Sequence, residues 1–346
     1  MKRGTVLLFG SGETSPVAQP IYDDLMGTLP SPVRVAVLET PAGFQLNSAK
    51  VAEDVARYLR EHLPNHTPQV QVVPARRRGT PASPDNAEIM GPLAAADMIF
   101  LGPGSPTYAV RHLRDSLAWQ VVLARQRTGA ALVLASAATI AASSWALPVY
   151  EVYKAGEDIH WVPGLDLWGR MGLSLVFVPH WDNREGGAKY DTSRCFMGQT
   201  RFRDLLALLP PGETVVGIDE HTALSMDASE GHCVVMGRNG VTLLRDGTGQ
   251  RFESGASFPL SLLGQVRLPA PREGTPALVW ELVETAARDL EAARTPSETV
   301  LDLVADREAA RDRQDWAAAD RLRGDIAAEG WGVQDTQEGP RLTPLG

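Results

Sequence analysis

The sequence predicts an α/β fold: a mostly parallel sheet with helices on both faces, a small antiparallel extension, and a helical C-terminal appendage. Three observations carry this reading. Short continuous apolar runs, the mark of buried strands, alternate with segments of helical periodicity between residues 5 and 218. Glycine- and proline-rich turns follow several of these runs. Composition then shifts beyond about residue 274, where Ala, Arg, Asp and Leu dominate. Strands that alternate with helices favour parallel pairing, because each crossover helix returns the chain to the same sheet edge.

The elements follow in order. Thr5 to Phe9 is a first strand, stopped by the turn Gly10-Ser11-Gly12. That turn could cradle an anion, but it lacks the full glycine fingerprint of a dinucleotide site and is read as a turn. Val33 to Leu38 is a second strand, Ala49 to Leu63 a helix with apolar residues at helical spacing, and Val70 to Val73 a third strand. Arg76, Arg77 and Arg78 fall in a solvated loop. Ala87 to Ala95 reads as a helix, Met98 to Leu101 as a strand, and Leu117 to Gln126 as a helix. Between the last two lies GPGSPTYAVRHL, a glycine-rich turn into a helix at a strand's carboxyl end, where open α/β sheets bind ligands.

Gly129 to Ser144 is the most informative stretch. An apolar run, Ala130 to Leu134, reaches one small polar residue, Ser136, before an alanine-rich segment. A strand that turns sharply into a helix with a serine at the corner is a nucleophile elbow, and the N–H of Ala137 would then face a developing oxyanion. The plain alternative is a small residue at a close strand–helix contact. Thr128 to Tyr150 carries no charge over 23 positions. Its content of Ala, Ser, Gly and Thr, with Pro148 near its end, argues against a membrane span.

Leu173 to Val178 is another strand, and His180 follows just past its end, on the same sheet edge as Ser136. That placement suits a general base. Thr192 to Leu209 reads as one helix and Thr214 to Ile218 as a strand, with Asp219, Glu220 and His221 in a solvated turn rather than a metal site. Cys233 to Met236 and Val241 to Leu244 read as paired antiparallel strands around the turn Arg238-Asn239-Gly240. Leu278 to Arg294, Pro296 to Ala309 and Trp316 to Ala328 are three helices, and a small hairpin or extended tail closes the chain. The expected domains are therefore residues 1–270 and 274–346.

Composition sets outer bounds. The chain has 346 residues, 44% of them hydrophobic and 22% charged, so a sizeable core is available. A net charge of −9 disfavours non-specific binding of nucleic acid or anionic membrane by the whole molecule. Two cysteines, Cys195 and Cys233, are too few for a disulfide framework. The apolar stretch at the N-terminus is too short for a signal-peptide core, and a cytoplasmic setting is expected.

Six pieces, in order, carry a resemblance: LFGSGETSP, FLGPGSPTYAVRHL, GAALVLASAATIAAS, VPHW, MGQTRF and GIDEHTAL, from Leu8 to Leu224. Together they resemble the peptidase E (aspartyl dipeptidase) and cyanophycinase family, serine hydrolases on a class I glutamine-amidotransferase-like fold. The resemblance implies Ser136 as nucleophile, His180 as base, and Glu151 as the acid that orients it, with Glu157 and Asp158 as rivals. It implies an oxyanion hole from the N–H groups of Gly104 and Ala137. It implies Arg201, with Thr200 beside it, as the reader of an acidic group in the substrate. From pattern alone Arg201 is a surface helix residue. The family elbow is Gly-x-Ser-Ala-Gly, whereas positions 134 and 138 here are Leu and Ala. Leu134 is the larger departure, because a strained serine needs small neighbours.

Asp306 to Leu342 resembles the C-terminal end of cysteinyl-tRNA synthetases. Nothing earlier matches that enzyme's catalytic domain, so synthetase activity is not expected. The tail reads as a self-packing helical module, with an RNA contact as the alternative. Three functions follow: a serine hydrolase cutting a peptide or isopeptide bond next to an acidic residue, a degenerate member that binds a small molecule or RNA, and a cyanophycinase-like polymer hydrolase. A peptide or acidic small molecule is the expected substrate, with no metal, no cofactor and no membrane partner. The oligomeric state, a homo-oligomer included, stays open.

Overall fold

The computed structural model of the chain describes residues 2–336 and 339–345, the side chains at 293, 294 and 344 excepted. It forms two compact units, Met1–Val283 and Glu284–Gly346. The division falls inside a helix, ten residues beyond the expected start of the appendage at 274.

The first unit begins with β1 (Val6–Phe9), α1 (Ala18–Met26), β2 (Arg34–Leu38), α2 (Ser48–His62), β3 (Gln69–Val73), α3 (Gly91–Ala95) and β4 (Met98–Leu101). It continues through α4 (Pro106–Leu113), α5 (Leu117–Arg127), β5 (Ala131–Ala135), α6 (Ala137–Ala141), β6 (Trp145–Ala146), α7 (Val149–Tyr153), β7 (Val162–Pro163) and β8 (Leu175–Val178). Then come α8 (Gly198–Leu206), β9 (Thr214–Ile218), β10 (Thr222–Asp227), β11 (His232–Gly237), β12 (Gly240–Arg245), β13 (Thr248–Glu253) and β14 (Ser257–Pro259).

The eight-stranded sheet has the order β14-β11-β10-β1-β5-β4-β2-β3. Strands β1, β5, β4, β2 and β3 pair in parallel; β10, β11 and β14 add an antiparallel edge. This is the fold class the sequence predicts. Side chains alternate across a strand. Leu7, Phe9, Val35, Val37, Phe100 and Val133 therefore share one face, and they form a core with Ile21, Tyr22 and Leu25 of α1 and Val55 and Leu59 of α2. Helix α3 packs on β2 and α5 on β5 to close the other face, where Leu8, Leu38, Ile99 and Leu132 are buried. Helix α5 starts where the Ser116 hydroxyl accepts the Trp119 N–H (3.1 Å), and it ends before Gly129, whose φ is +115°.

A second sheet has the order β13-β12-β9-β8, with β8 and β9 parallel. Here the structure departs from the expected hairpin around Asn239. Strand β11 pairs with β10 and β14, whereas β12 pairs with β9 and β13, in the other sheet. The Asn239 side chain explains the crossing. Its amide donates to Asp182 Oδ2 and to the Glu220 carbonyl (both 3.2 Å), and the Gly240 N–H donates to Asp219 Oδ2 (3.0 Å). The true hairpin turn is Asp246-Gly247, with φ of +48° and +76°, between β12 and β13. Positive φ at both central residues matches the right-handed strand twist.

Two expected helices are shorter. Residues 87–95 split into a 3₁₀ turn, Ala87–Ile89, and α3, with Gly91-Pro92 at the break. The helix expected from Thr192 starts only at Gly198. Arg194, Cys195 and Phe196 have φ of +56°, +55° and +68°, which excludes a right-handed helix there. No helix among the described residues is long and apolar enough to cross a membrane.

The helix α9 (Ala277–Arg294) spans the boundary between units. The second unit continues with α10 (Glu298–Asp312), α11 (Trp316–Ala328) and a hairpin of β15 (Trp331–Thr336) and β16 (Gly339–Pro344). Its core is Val300, Ile326, Trp331 and Val333. The Arg307 guanidinium is buried there and forks onto both oxygens of Asp335 (2.9 and 3.0 Å).

Candidate active site

Strand β5 ends at Ala135 and α6 starts at Ala137. Ser136 makes the corner with φ +51° and ψ −108°. This is outside every favoured region for an L-residue and costs about 1–3 kcal/mol unless its surroundings hold it. The surroundings do hold it: the Thr139 hydroxyl reaches the carbonyls of Phe9 (3.1 Å) and Leu134 (3.0 Å), and the Ile140 N–H donates to Ser136 (3.1 Å). Leu134 does not prevent the corner. It is buried in the sheet, in register with Leu8 and Leu101, and Ala138 is buried beside it.

His180 lies two residues past β8, also at positive φ (+51°). Its N–H donates to the Gly10 carbonyl (3.2 Å), and its carbonyl accepts from Cys195 (3.2 Å). The first bond ties it to the turn after β1, the strand beside β5 in the sheet. His180 Nε2 is 3.3 Å from Ser136 Oγ. His180 Nδ1 is 2.9 Å from Glu220 Oε1. With Nδ1 donating to the carboxylate, Nε2 is left to accept the serine proton.

Glu220 is thus the partner of His180. It sits in the loop after β9, which runs parallel beside β8 and brings the two strand ends together. Its Oε1 also accepts from Asn183 Nδ2 (2.8 Å), and its N–H donates to Asp182 Oδ1 (2.7 Å). The hydrogen bond from His180, aided by Asn183, holds its carboxyl below the usual range against the opposing effect of burial. A depressed carboxyl contributes stability above its ordinary value of 4.5, and that contribution is lost as pH falls through the lowered value. The difference in unfolding free energy between wild type and Glu220→Gln should therefore shrink from neutral pH into the acid range. Thermal melts across that range check it; a constant difference would show no ionic coupling.

Glu151, the acid expected from the sequence, is elsewhere. It lies on α7, where its Oε1 accepts a short hydrogen bond from Thr107 and its Oε2 is buried without a partner among the described residues. The Thr107 hydroxyl in turn is 2.9 Å from Ser105 Oγ, so Glu151 braces the start of α4. The rivals fail too: Glu157 and Asp158 are exposed, near His160. The turn expected at 219–221 is not merely solvated, since Asp219 is buried and Glu220 faces His180.

Gly104 has a φ of +153°, and an added Cβ would lie 1.9 Å from the Pro41 carbonyl oxygen. Neither its N–H nor that of Ala137 makes a hydrogen bond among the described residues. Glu13, on the turn after β1, is half-buried. Burial pushes its carboxyl up, and the nearby His180 offsets part of the rise.

Arg201 and Thr200 are exposed in the first turn of α8. Thr200 lines an open groove of ≈ 870 Å³, and so do Arg184, Arg194, Arg203 and Arg251; Arg201 does not. Helical geometry accounts for this, since Arg203 stands on the side of α8 that faces the groove with Gln199 and Leu206.

No family model matches the chain. Its fold is similar to that of a peptidase from an acI-B1 actinobacterium, with a TM-score of 0.57 and 20% identity, over 75% of this chain and 97% of that one. At that identity the likeness shows the fold. Short segments match cysteine–tRNA ligases. One from Chlamydia pneumoniae is 52% identical over 48 residues, and one from Rubrobacter xylanophilus is 50% identical over 52. These cover 14% and 15% of this chain, which spans about a tenth of the length of the curated relatives it matches (10% and 11%).

Proposed function

We propose that the chain is a serine hydrolase that cuts a peptide or isopeptide bond next to an acidic residue. The hydrogen-bond series Ser136–His180–Glu220, set on a strained strand–helix corner, carries this reading. Ser136 Oγ attacks the carbonyl carbon while His180 Nε2 takes its proton. Glu220 holds the imidazole in the required tautomer and stabilises the imidazolium. The N–H groups of Gly104 and Ala137, without a hydrogen bond among the described residues, receive the oxyanion, and such donors are worth about 10²–10³-fold in kcat. The imidazolium then protonates the leaving amine, and water, deprotonated by His180, releases the acyl group. The likeness in fold to a chain named as a peptidase supports the same class. The preference for an acidic neighbour rests on the sequence resemblance to the peptidase E (aspartyl dipeptidase) family.

The test is mass spectrometry after exposure to a fluorophosphonate, on wild type and Ser136→Ala, with Asp-X dipeptide hydrolysis in parallel. An adduct on Ser136 that the variant lacks is expected, together with cleavage. An adduct without cleavage keeps the hydrolase and removes the acidic specificity. Absence of any adduct overturns the reading in favour of a fold kept for binding.

A further inference from the structure

The groove between α8 and the β12–β13 hairpin carries more positive charge than the molecule around it. The chain as a whole has a net charge of −9, yet four arginines and only two carboxylates, Asp182 and Asp219, line this groove. Two of the arginines are fixed. Arg194 lies over the Trp181 ring, 3.9 Å from its centroid, and donates to the Trp181 carbonyl (2.8 Å). Arg251 is paired with Asp219 and Glu253 (both 2.7 Å). The other two, Arg184 and Arg203, are exposed and have no ion pair among the described residues. Thr200 and Gln199 add a hydroxyl and an amide to the wall formed by α8. Two unpaired guanidinium groups facing one space suit an anion, because each offers a fork of donors matched to carboxylate or phosphate.

The groove is not the space in which the reacting bond lies, since Ser136, His180 and Glu220 do not line it. It touches them through two lining residues. Asp182 accepts the Glu220 N–H, and Asn239 donates both to Asp182 and to the Glu220 carbonyl. Asp182 and Asn239 thus hold the backbone of Glu220, the partner of His180, on both sides of its Cα.

We propose that this groove binds a small molecule bearing at least two negative charges, as carboxylates or phosphate, and that occupancy steadies this hold on Glu220. The volume fits a ligand of metabolite size rather than a lone ion. Binding stands on the groove alone; the effect on Glu220 rests on the serine-hydrolase reading above. Calorimetric titration of the full chain with pyrophosphate and, separately, with citrate reads binding and distinguishes the two anion classes. One of them should bind. Arg184→Ala/Arg203→Ala should weaken it by at least about tenfold, the loss of roughly one charge-assisted hydrogen bond. Arg203→Glu serves as a second variant in case the pair perturbs folding. The bound anion should also raise the rate of fluorophosphonate labelling of Ser136 by about fivefold, the low end of coupling between sites, in wild type and not in the variants.

No heat from either anion overturns the site. Heat from both that an equal concentration of sodium chloride abolishes marks a non-specific basic surface, and overturns it as well. Binding without a rise in labelling overturns the link to Glu220. A wild type that never labels at Ser136 defeats the hydrolase reading and the link together, while the calorimetry still decides on the anion.

Discussion

Glu220→Gln is expected to lower kcat/KM by about 10⁴-fold, and Glu151→Gln by less than about tenfold. The amide keeps the shape of the carboxylate and removes its charge. Without that charge the imidazolium formed during attack has no counterion, and the tautomer with Nδ1–H is no longer enforced. Asn183 deepens the loss, because it donates to the same oxygen as His180. A glutamine carbonyl would have to satisfy both donors, with its NH₂ group beside them. Glu151 accepts from Thr107 through one oxygen, a bond that a glutamine carbonyl also makes. Steady-state kinetics on an Asp-X dipeptide, with fluorophosphonate labelling rates beside it, check the pair. A large loss in Glu151→Gln with a small one in Glu220→Gln would sink the assignment.

Gly104→Ala is expected to lower kcat by at least about 10²-fold, the cost of misplacing a reacting group by roughly 1 Å. The added Cβ would lie 1.9 Å from the Pro41 oxygen and 2.2 Å from its carbonyl carbon, both backbone atoms. Pro41 cannot yield freely, because the Ser105 N–H is bonded to the same oxygen (2.9 Å). The Gly102–Ser105 loop must therefore move, and the Gly104 N–H with it. Thermal melts separate this from general unfolding: kcat should fall far more than the folded fraction does. A variant with unchanged kcat would remove this loop from the proposed oxyanion site.

Local signals suffice for the central strands. Apolar runs such as MIFL and ALVLA are buried on both faces and became central strands. His180 stands just past a strand end as expected, but β8 belongs to the second sheet rather than to that of β5, and the bond from the His180 N–H to the Gly10 carbonyl ties it to the turn beside Ser136. The acid was the weak point. The chain holds 42 Asp and Glu residues, and the resemblance points to Glu151, fifteen positions after Ser136. Glu220 is 40 positions from His180 and became its partner only because β9 runs beside β8. One signal was available: a carboxylate two residues past the end of a strand, the same offset at which His180 follows β8.

The 233–244 segment teaches the same lesson. Asn239-Gly240 is a hairpin dipeptide by local chemistry, yet Asn239 is drawn to Asp182 and Glu220, and its flanking strands part into two sheets. Arg203 rather than Arg201 faces the basic groove for a similar reason, since the phase of α8 was set by Phe202 and Leu205 packing inward.

The sequence by itself determined the fold class, the strand–helix corner at Ser136 and the place of His180 just past a strand end. Each depends on which residues are apolar and on which small ones follow a strand. Tertiary structure alone decided which carboxylate meets His180, which arginines line the groove, and that Leu134 fits beneath the corner. Those outcomes depend on strand neighbours and on helix phase, which arise when distant segments pack and have no counterpart in any local pattern.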